Sequence, residues 1–272
     1  MKQFLLYFLI GFYLISCNSE ETAETKAETP DHSKVDWKEV ELDSSVREHI
    51  PVPEMETFTL NKKIENNGDI LAEFDIQSVH PKSDTLGLKV INMEVNEWVR
   101  SNFYVGEDDF KEKSLDSLIA RYDRFLKNES EIIGFGAGWE INANASVNFN
   151  KNGLMNYDLT VYSYTGGAHG NATTILRTYD VITGARLSLV DMFEDTLMLQ
   201  KKMNEVFQST MPEEIKSNVS VDEIPLTSNV QLGKDTLIFY FNAYEIGPYS
   251  MGPVELKIAT KDLKGNLKIK LD

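Results

Sequence analysis

One histidine stands where chemistry could be done. His169 closes the run Tyr164-Thr165-Gly166-Gly167-Ala168-His169-Gly170, which follows alternating aromatic and polar residues. A histidine acting as general base needs a nucleophile or an orienting carboxylate, and a zinc site usually needs three protein ligands. The chain has four histidines, and His32 and His49 lie in or near a polar N-terminal stretch. His80 and His169 are left for any metal site, together with unassigned carboxylates, and no complete metal or cofactor motif is present. For hydrolysis, the carboxylates to pair with His169 would be Glu245 or Asp180. The glycines do not form a phosphate cradle, because no lysine follows and the next element is a strand. Nor do they form a nucleophile elbow, because no Ser or Cys sits between them. The residue types point first to a turn whose histidine braces the loop through ring hydrogen bonds. A contact on a binding rim comes next, and a metal or catalytic role is the minor alternative. Gly166, Gly167 and Gly170 are then the structural turn, supplying the positive φ such a loop needs.

A second stretch, Phe241 to Pro253, runs from strand into a loop with two glycines, two prolines, two tyrosines and a methionine. Rigid aromatics on loops are typical of binding hot spots. Tyr249, held between Pro248 and Ser250, is the position most expected to be exposed. Tyr244 and Met251 are as readily explained as caps on a sheet's core. Asp-Thr-Leu at 84, 195 and 235, and Asp-Ser-Leu at 116, read as helix-cap and turn chemistry. Their likeness to a bacterial O-glycosylation signal is the lesser reading.

The elements that must carry these loops follow from periodicity. Residues 56–65 and 69–80 form a hairpin turned at Asn66-Asn67-Gly68-Asp69. Ile70, Ala72, Phe74 and Ile76 alternate with Leu71, Glu73, Asp75 and Gln77. From Asp84 the period changes, and Leu88, Ile91, Val95 and Trp98 mark an amphipathic helix. Leu115, Leu118, Tyr122 and Phe125 mark another. Period two returns over 139–149, turns at Lys151-Asn152-Gly153, and continues over 154–164 and 172–181, ending at Thr183-Gly184. Ser188 to Asp191 matches a capping box that opens a helix reaching about Thr210. Strands near 236–242, 254–259 and 267–271 complete the chain. Hairpins and meanders with inserted helices predict an α+β fold, with antiparallel sheet and helices packed on one face.

The first sixteen residues carry Lys2 and an apolar run from Phe4 to Ile15, too short to span a bilayer, as in a signal peptide. Leu14-Ile15-Ser16-Cys17 resembles the lipobox of bacterial lipoproteins, which implies cleavage before Cys17, the chain's only cysteine, and its acylation (palmitate among the acyl groups). Several acyl groups give firm membrane attachment, and no cysteine is left for a disulfide. The Glu20-Glu21 pair is similar to surface-export signals of some lipoproteins, so the outer membrane or cell surface is the expected location. Residues 17–34, rich in Glu, Thr, Ala and Ser, read as a disordered tether. The formal charge is −16, and removing Lys2 with the signal makes it −17 (−16 minus +1). Such a surface excludes nucleic acid as a partner and favours basic ones.

The loop Tyr164 to Gly170, with Tyr179-Asp180, Thr183-Gly184, Leu187 to Phe193 and the closing segment Phe241 to Leu256, resembles a bacterial extracytoplasmic domain family. It is shared by the lysozyme-sensing anti-sigma factor RsiV and the N-terminal region of the peptidoglycan deacetylase PdaC. The block from His80-Pro81 to Trp98 resembles the half usually found before it. The resemblance divides the mature chain into a tether, a PdaC-like α+β half (35–136) and an RsiV-like α+β half (137–272). It implies an envelope location and a module that binds a lysozyme-like muramidase or peptidoglycan without catalysis. Tyr164, His169, Pro248 and Tyr249 are carried over as ligand-binding residues. Without a sigma-binding segment or a separate deacetylase domain, a stand-alone lipid-anchored module is expected. A wall-glycan hydrolase using His169 and an envelope protein of structural role are the competing expectations.

Overall fold

The computed structural model describes residues 50–104, 109–111, 114–129 and 138–271. The signal, Cys17 and the tether lie outside the described residues. The architecture is α+β, as the periodicity predicts.

Five strands form the larger sheet in the order β1 (Met55–Asn66), β2 (Asp69–Pro81), β3 (Trp139–Lys151), β4 (Leu154–Tyr164) and β5 (Asn171–Asp180). All neighbours are antiparallel except β2 and β3, which run parallel. The exception has a direct cause. Two helices, α1 (Leu86–Ser101) and α2 (Leu115–Glu129), intervene between β2 and β3 and carry the chain back to the starting edge. A crossover of this kind, not a tight turn, is what a parallel pair requires. The two tight hairpins carry positive φ at both central residues, Asn67 (53°) with Gly68 (90°) and Asn152 (54°) with Gly153 (69°). That backbone matches the right-handed twist of the flanking strands, and Asn-Gly is the pair that adopts it most easily.

Helices cover one face of this sheet. Ala72, Phe74 and Ile76 of β2 and Ile141, Ala143 and Ala145 of β3 are buried against Leu88, Ile91, Val95 and Trp98 of α1. Leu118, Ile119, Tyr122 and Leu126 of α2 join them, and Phe74, Phe103 and Tyr122 meet edge to face. A second core gathers around the smaller antiparallel sheet, β6 (Val230–Gln231), β7 (Thr236–Phe241) and β8 (Val254–Ala259). Its helical side comprises α3 (Leu189–Met192), α4 (Thr196–Thr210) and α5 (Glu213–Asn218), with Leu199, Met203 and Phe207 of α4 fully in the core.

Two expectations are corrected here. The helix from Ser188 to Thr210 is broken. The Asp191 carboxylate accepts the Ser188 N–H at 2.7 Å as a capping box should, but Phe193 leaves the helix with extended backbone and buries its ring in the second core. Asp195 then caps α4 afresh, accepting from the N–H groups of Leu197 and Met198. The strand expected at 267–271 reduces to one bridge, Leu267 to Phe193, because this segment pairs with the helix break (Lys268 N–H to Met192 O, 2.8 Å).

Asparagine side chains join the two sheets. Asn242, just after β7, accepts the Thr174 N–H at 2.7 Å and donates to the Thr174 carbonyl at 3.0 Å. Asn229 donates to the same carbonyl, and Asn156 of β4 accepts the Leu232 N–H. Side-chain amides thus meet the Thr174 and Leu176 groups on the outer edge of β5, and the backbone of Ala185 and Leu187 meets Asp180 and Thr178 further along it, as buried backbone groups require.

Candidate functional site

Strands β4 and β5 are in register to the pair Ser163–Asn171, so the glycine loop is the turn that joins them. Gly166 and Gly167 have φ of 98° and 94°. The Tyr164 hydroxyl donates to the Gly167 carbonyl at 3.1 Å and holds the loop against its own strand. Gly170 is required by close approach: a Cβ there would lie 2.4 Å from the Tyr162 Oη and 2.5 Å from its Cζ.

The His169 Nδ1–H donates to the Gly170 carbonyl at 2.9 Å; a carbonyl can only accept, which assigns the proton to Nδ1 and leaves Nε2 open. The same carbonyl accepts the Tyr249 hydroxyl at 3.0 Å. The two rings stack, with centroids 4.0 Å apart and planes 15° apart. Tyr244 extends the group, its ring 5.5 Å from that of Tyr249. Exposed Pro248, with φ of −68°, opens the single turn that presents Tyr249. Three aromatic rings from two distant segments therefore form one solvent-facing ledge.

Tyr244 departs from the role its sequence neighbourhood suggests. It caps no core: it is 62% exposed, while Met251 packs onto the second core as expected. Its φ of 73° is a genuine outlier for a bulky residue. The turn that imposes it is tied by Asn242, whose carbonyl accepts the Glu245 N–H at 3.1 Å and whose amide donates to Glu245 Oε1 at 3.0 Å. Strain of this kind persists only where the surroundings over-determine it. The run Asn-Ala-Tyr-Glu carries no sequence mark of it, since glycine or asparagine would be the usual choice.

The carboxylates considered for His169 lie elsewhere. Asp180 sits at the far end of β5, about 30 Å of extended strand from the loop, and its Oδ1 accepts from Ile182, Thr183 N–H and the Thr183 hydroxyl. Glu245 is engaged by Asn242. No ion pair or hydrogen bond joins His169 to a carboxylate among the described residues. His80 is buried, its Nδ1–H directed at Asn92 Oδ1 (3.3 Å) and its Nε2 accepting from the Ser78 hydroxyl (2.8 Å). Burial pushes its pKa below the ordinary histidine value, with the Asn92 bond acting in the opposite sense. That is a structural histidine. Among the described residues no cluster of three or more His, Cys, Asp or Glu is placed to hold a metal. A groove of about 780 Å³ is lined by Phe58 and Leu60 of β1, Glu94, Glu97 and Arg100 of α1 and Leu115 of α2, and none of the residues expected to act at the site lines it.

Fold and site together define a two-sheet α+β module that presents an aromatic ledge on its loop edge. The chain belongs to the family described as Deacetylase PdaC, whose model matches residues 18–172, more than half of its length. A second model, described as a protein of unknown function (DUF3298), matches residues 191–261. Two crystal structures of DUF3298 family proteins share the fold. One, from Bacteroides fragilis, is 24% identical with a TM-score of 0.59, covering 79% of this chain and 94% of that one. The other, from Pseudomonas aeruginosa, is 21% identical with a TM-score of 0.59, covering 80% of this chain and 95% of that one. No curated protein matches the sequence significantly.

Proposed function

We propose that this protein is a non-enzymatic binding module of the bacterial cell envelope. It is anchored through acylated Cys17 and engages a lysozyme-like muramidase or peptidoglycan with its loop edge. The observation that carries the reading is the His169–Tyr249 stack, both partners fixed on one carbonyl and extended by exposed Tyr244. Pre-ordered aromatics of this kind lose little entropy on binding, which is why they dominate interface energetics. The net charge of −17 that remains once the signal is removed (−16 minus +1) would speed encounter with a basic muramidase and add salt dependence.

The test is retention of hen lysozyme, and separately of purified peptidoglycan, by the wild-type chain and by a His169→Ala, Tyr249→Ala double variant at physiological salt. A hot-spot ledge should lose at least about 2 kcal/mol, roughly thirtyfold in Kd. Unchanged retention by a folded variant would remove the ledge from the interface.

A further inference from the structure

The helices that cover the larger sheet stop short of its first strand. Glu56, Phe58, Leu60, Lys62 and Ile64 of β1 stand opposite His80, Ser78, Ile76, Phe74 and Ala72 of β2. Those β2 residues are buried under the helices, so their β1 neighbours lie on the same side of the sheet. Yet Phe58 is 41% exposed, and Glu56 and Lys62 are exposed as well. Met93 of α1, itself 70% exposed, and Leu115 of α2 line the groove beside Phe58 and Leu60. β1 is also the end strand of its sheet, paired with β2 alone among the described residues. Its outer row of N–H and C=O groups is a template for another strand.

The residues of β1 select a second copy of this chain as that strand. Copies of so acidic a protein repel one another, but Met55–Asn66 carries two glutamates and two lysines and is neutral. Opposed residues of an antiparallel pair share a face, so a strand meets its own copy with one residue on the two-fold axis. With Phe58 on the axis, Glu56 faces Leu60 of the second copy. Leu60 on the axis sets Phe58 against Lys62, Asn61 sets Leu60 against Lys62, and Lys62 meets itself. Only Thr59 on the axis, among these five, matches every helix-side position: Glu56 faces Lys62 twice and Phe58 faces Leu60 twice. The pairing then runs from Met55 to Lys63 and ends before the register irregularity at Ile64 and Glu65. Beyond it Glu65 would meet Pro53, which has no N–H to give.

The other charges nearby do not oppose this register. Lys63 lies on the opposite face, bonded to Glu73 at 2.7 Å, and Lys82 is bonded to Glu54 at 2.9 Å. In the groove Glu97 pairs with Arg100 and Glu94 with Arg177, leaving Asp116 on the rim. Neither Glu56 nor Lys62 has an ion-pair partner in its own chain among the described residues. Lysines on an edge normally repel stray strands; opposite Glu56 the same charge admits one specific partner.

We propose that two copies of this protein associate by antiparallel pairing of β1 about a two-fold axis at Thr59, joining their five-stranded sheets and laying Phe58 and Leu60 of each copy against those of the other. This interface is independent of the ledge.

The experiment is disulfide trapping of the full-length chain in detergent, with Thr59→Cys and Thr57→Cys variants mildly oxidised and compared on a non-reducing gel. The wild-type lane reports any contribution of Cys17. Opposed residues at the axis have Cα atoms about 4.5–5.5 Å apart, within disulfide reach. The two Thr57 positions would lie about 13 Å apart, four residues out of step, and beyond it. Thr59→Cys should therefore give at least about tenfold more covalent dimer than Thr57→Cys. Adding Glu56→Lys to Thr59→Cys sets lysine against lysine twice and should cut the yield at least about fivefold, and further addition of Lys62→Glu should restore it. Each variant is checked for an unchanged melting curve. No dimer through position 59, or equal trapping at 57 and 59, overturns the proposal. A yield indifferent to Glu56→Lys, or not restored by Lys62→Glu, overturns it as well.

Discussion

Replacing Asn242 by alanine should both destabilise the fold and loosen the ledge. Its side chain makes two hydrogen bonds to Thr174, one to the N–H at 2.7 Å and one to the carbonyl at 3.0 Å, where Thr174 is only 8% exposed. The carbonyl keeps a second donor, Asn229 at 3.1 Å, but the N–H is left with none. Losing a bond whose partner stays satisfied costs about 1 kcal/mol, and stranding a buried donor costs about 1–3 kcal/mol. The sum is about 2–4 kcal/mol. With a urea m-value of roughly 2–3 kcal/mol per M for a domain this size, the midpoint should fall by about 0.7–2 M at unchanged slope. Asn229→Ala is the internal comparison. Its bond to the Leu176 N–H is long, 3.4 Å, and Thr174 O keeps Asn242, so its cost should be clearly smaller. A midpoint shift for Asn242→Ala below that of Asn229→Ala would refute the view that this amide closes the edge of β5.

Three further outcomes follow from the same structure. Gly170→Ala should displace the Tyr162 ring, since no Cβ tolerates an oxygen at 2.4 Å, costing about 1–3 kcal/mol in melting stability and weakening ligand retention. Tyr244→Gly should raise stability by about 1 kcal/mol by relieving the positive φ, yet lower ligand affinity; a variant no more stable than wild type would show the turn to be unstrained. His80, with its folded pKa below the unfolded value of about 6.5, binds fewer protons when folded. Its contribution is therefore fully present above that value and is lost as pH falls from there through the folded pKa. Stability of the wild type should decline on acidification below pH 6.5 more steeply than that of His80→Gln, measured by denaturant midpoints at pH 7 and 5.5.

Much of this architecture is legible in the chain because it is local. The alternation in 139–149, the two Asn-Gly turns and the helical stripe from Leu88 to Trp98 each report their own backbone. What escapes the sequence is non-local. Nothing in β2 or β3 announces that they pair in parallel, except in retrospect the two helices between them. The break at Phe193 depends on a pocket in the second core and on Leu267 and Asn266, more than seventy residues away. The ledge was legible in part: His169 and Tyr249 stood out by type, and the structure brings them into one stack. Tyr244 did not, because its exposure follows from a turn that the Asn242 amide imposes.

The most direct test of the central claim is a titration of the wild-type chain and the His169→Ala, Tyr249→Ala variant against hen lysozyme and against purified peptidoglycan at physiological salt. The account predicts retention of a wall component by the wild type, and at least about a thirtyfold loss in the folded variant. Equal retention by both proteins, or retention by the wild type that vanishes between low and physiological salt, would mean that net charge alone had been measured and the ledge is not the binding edge.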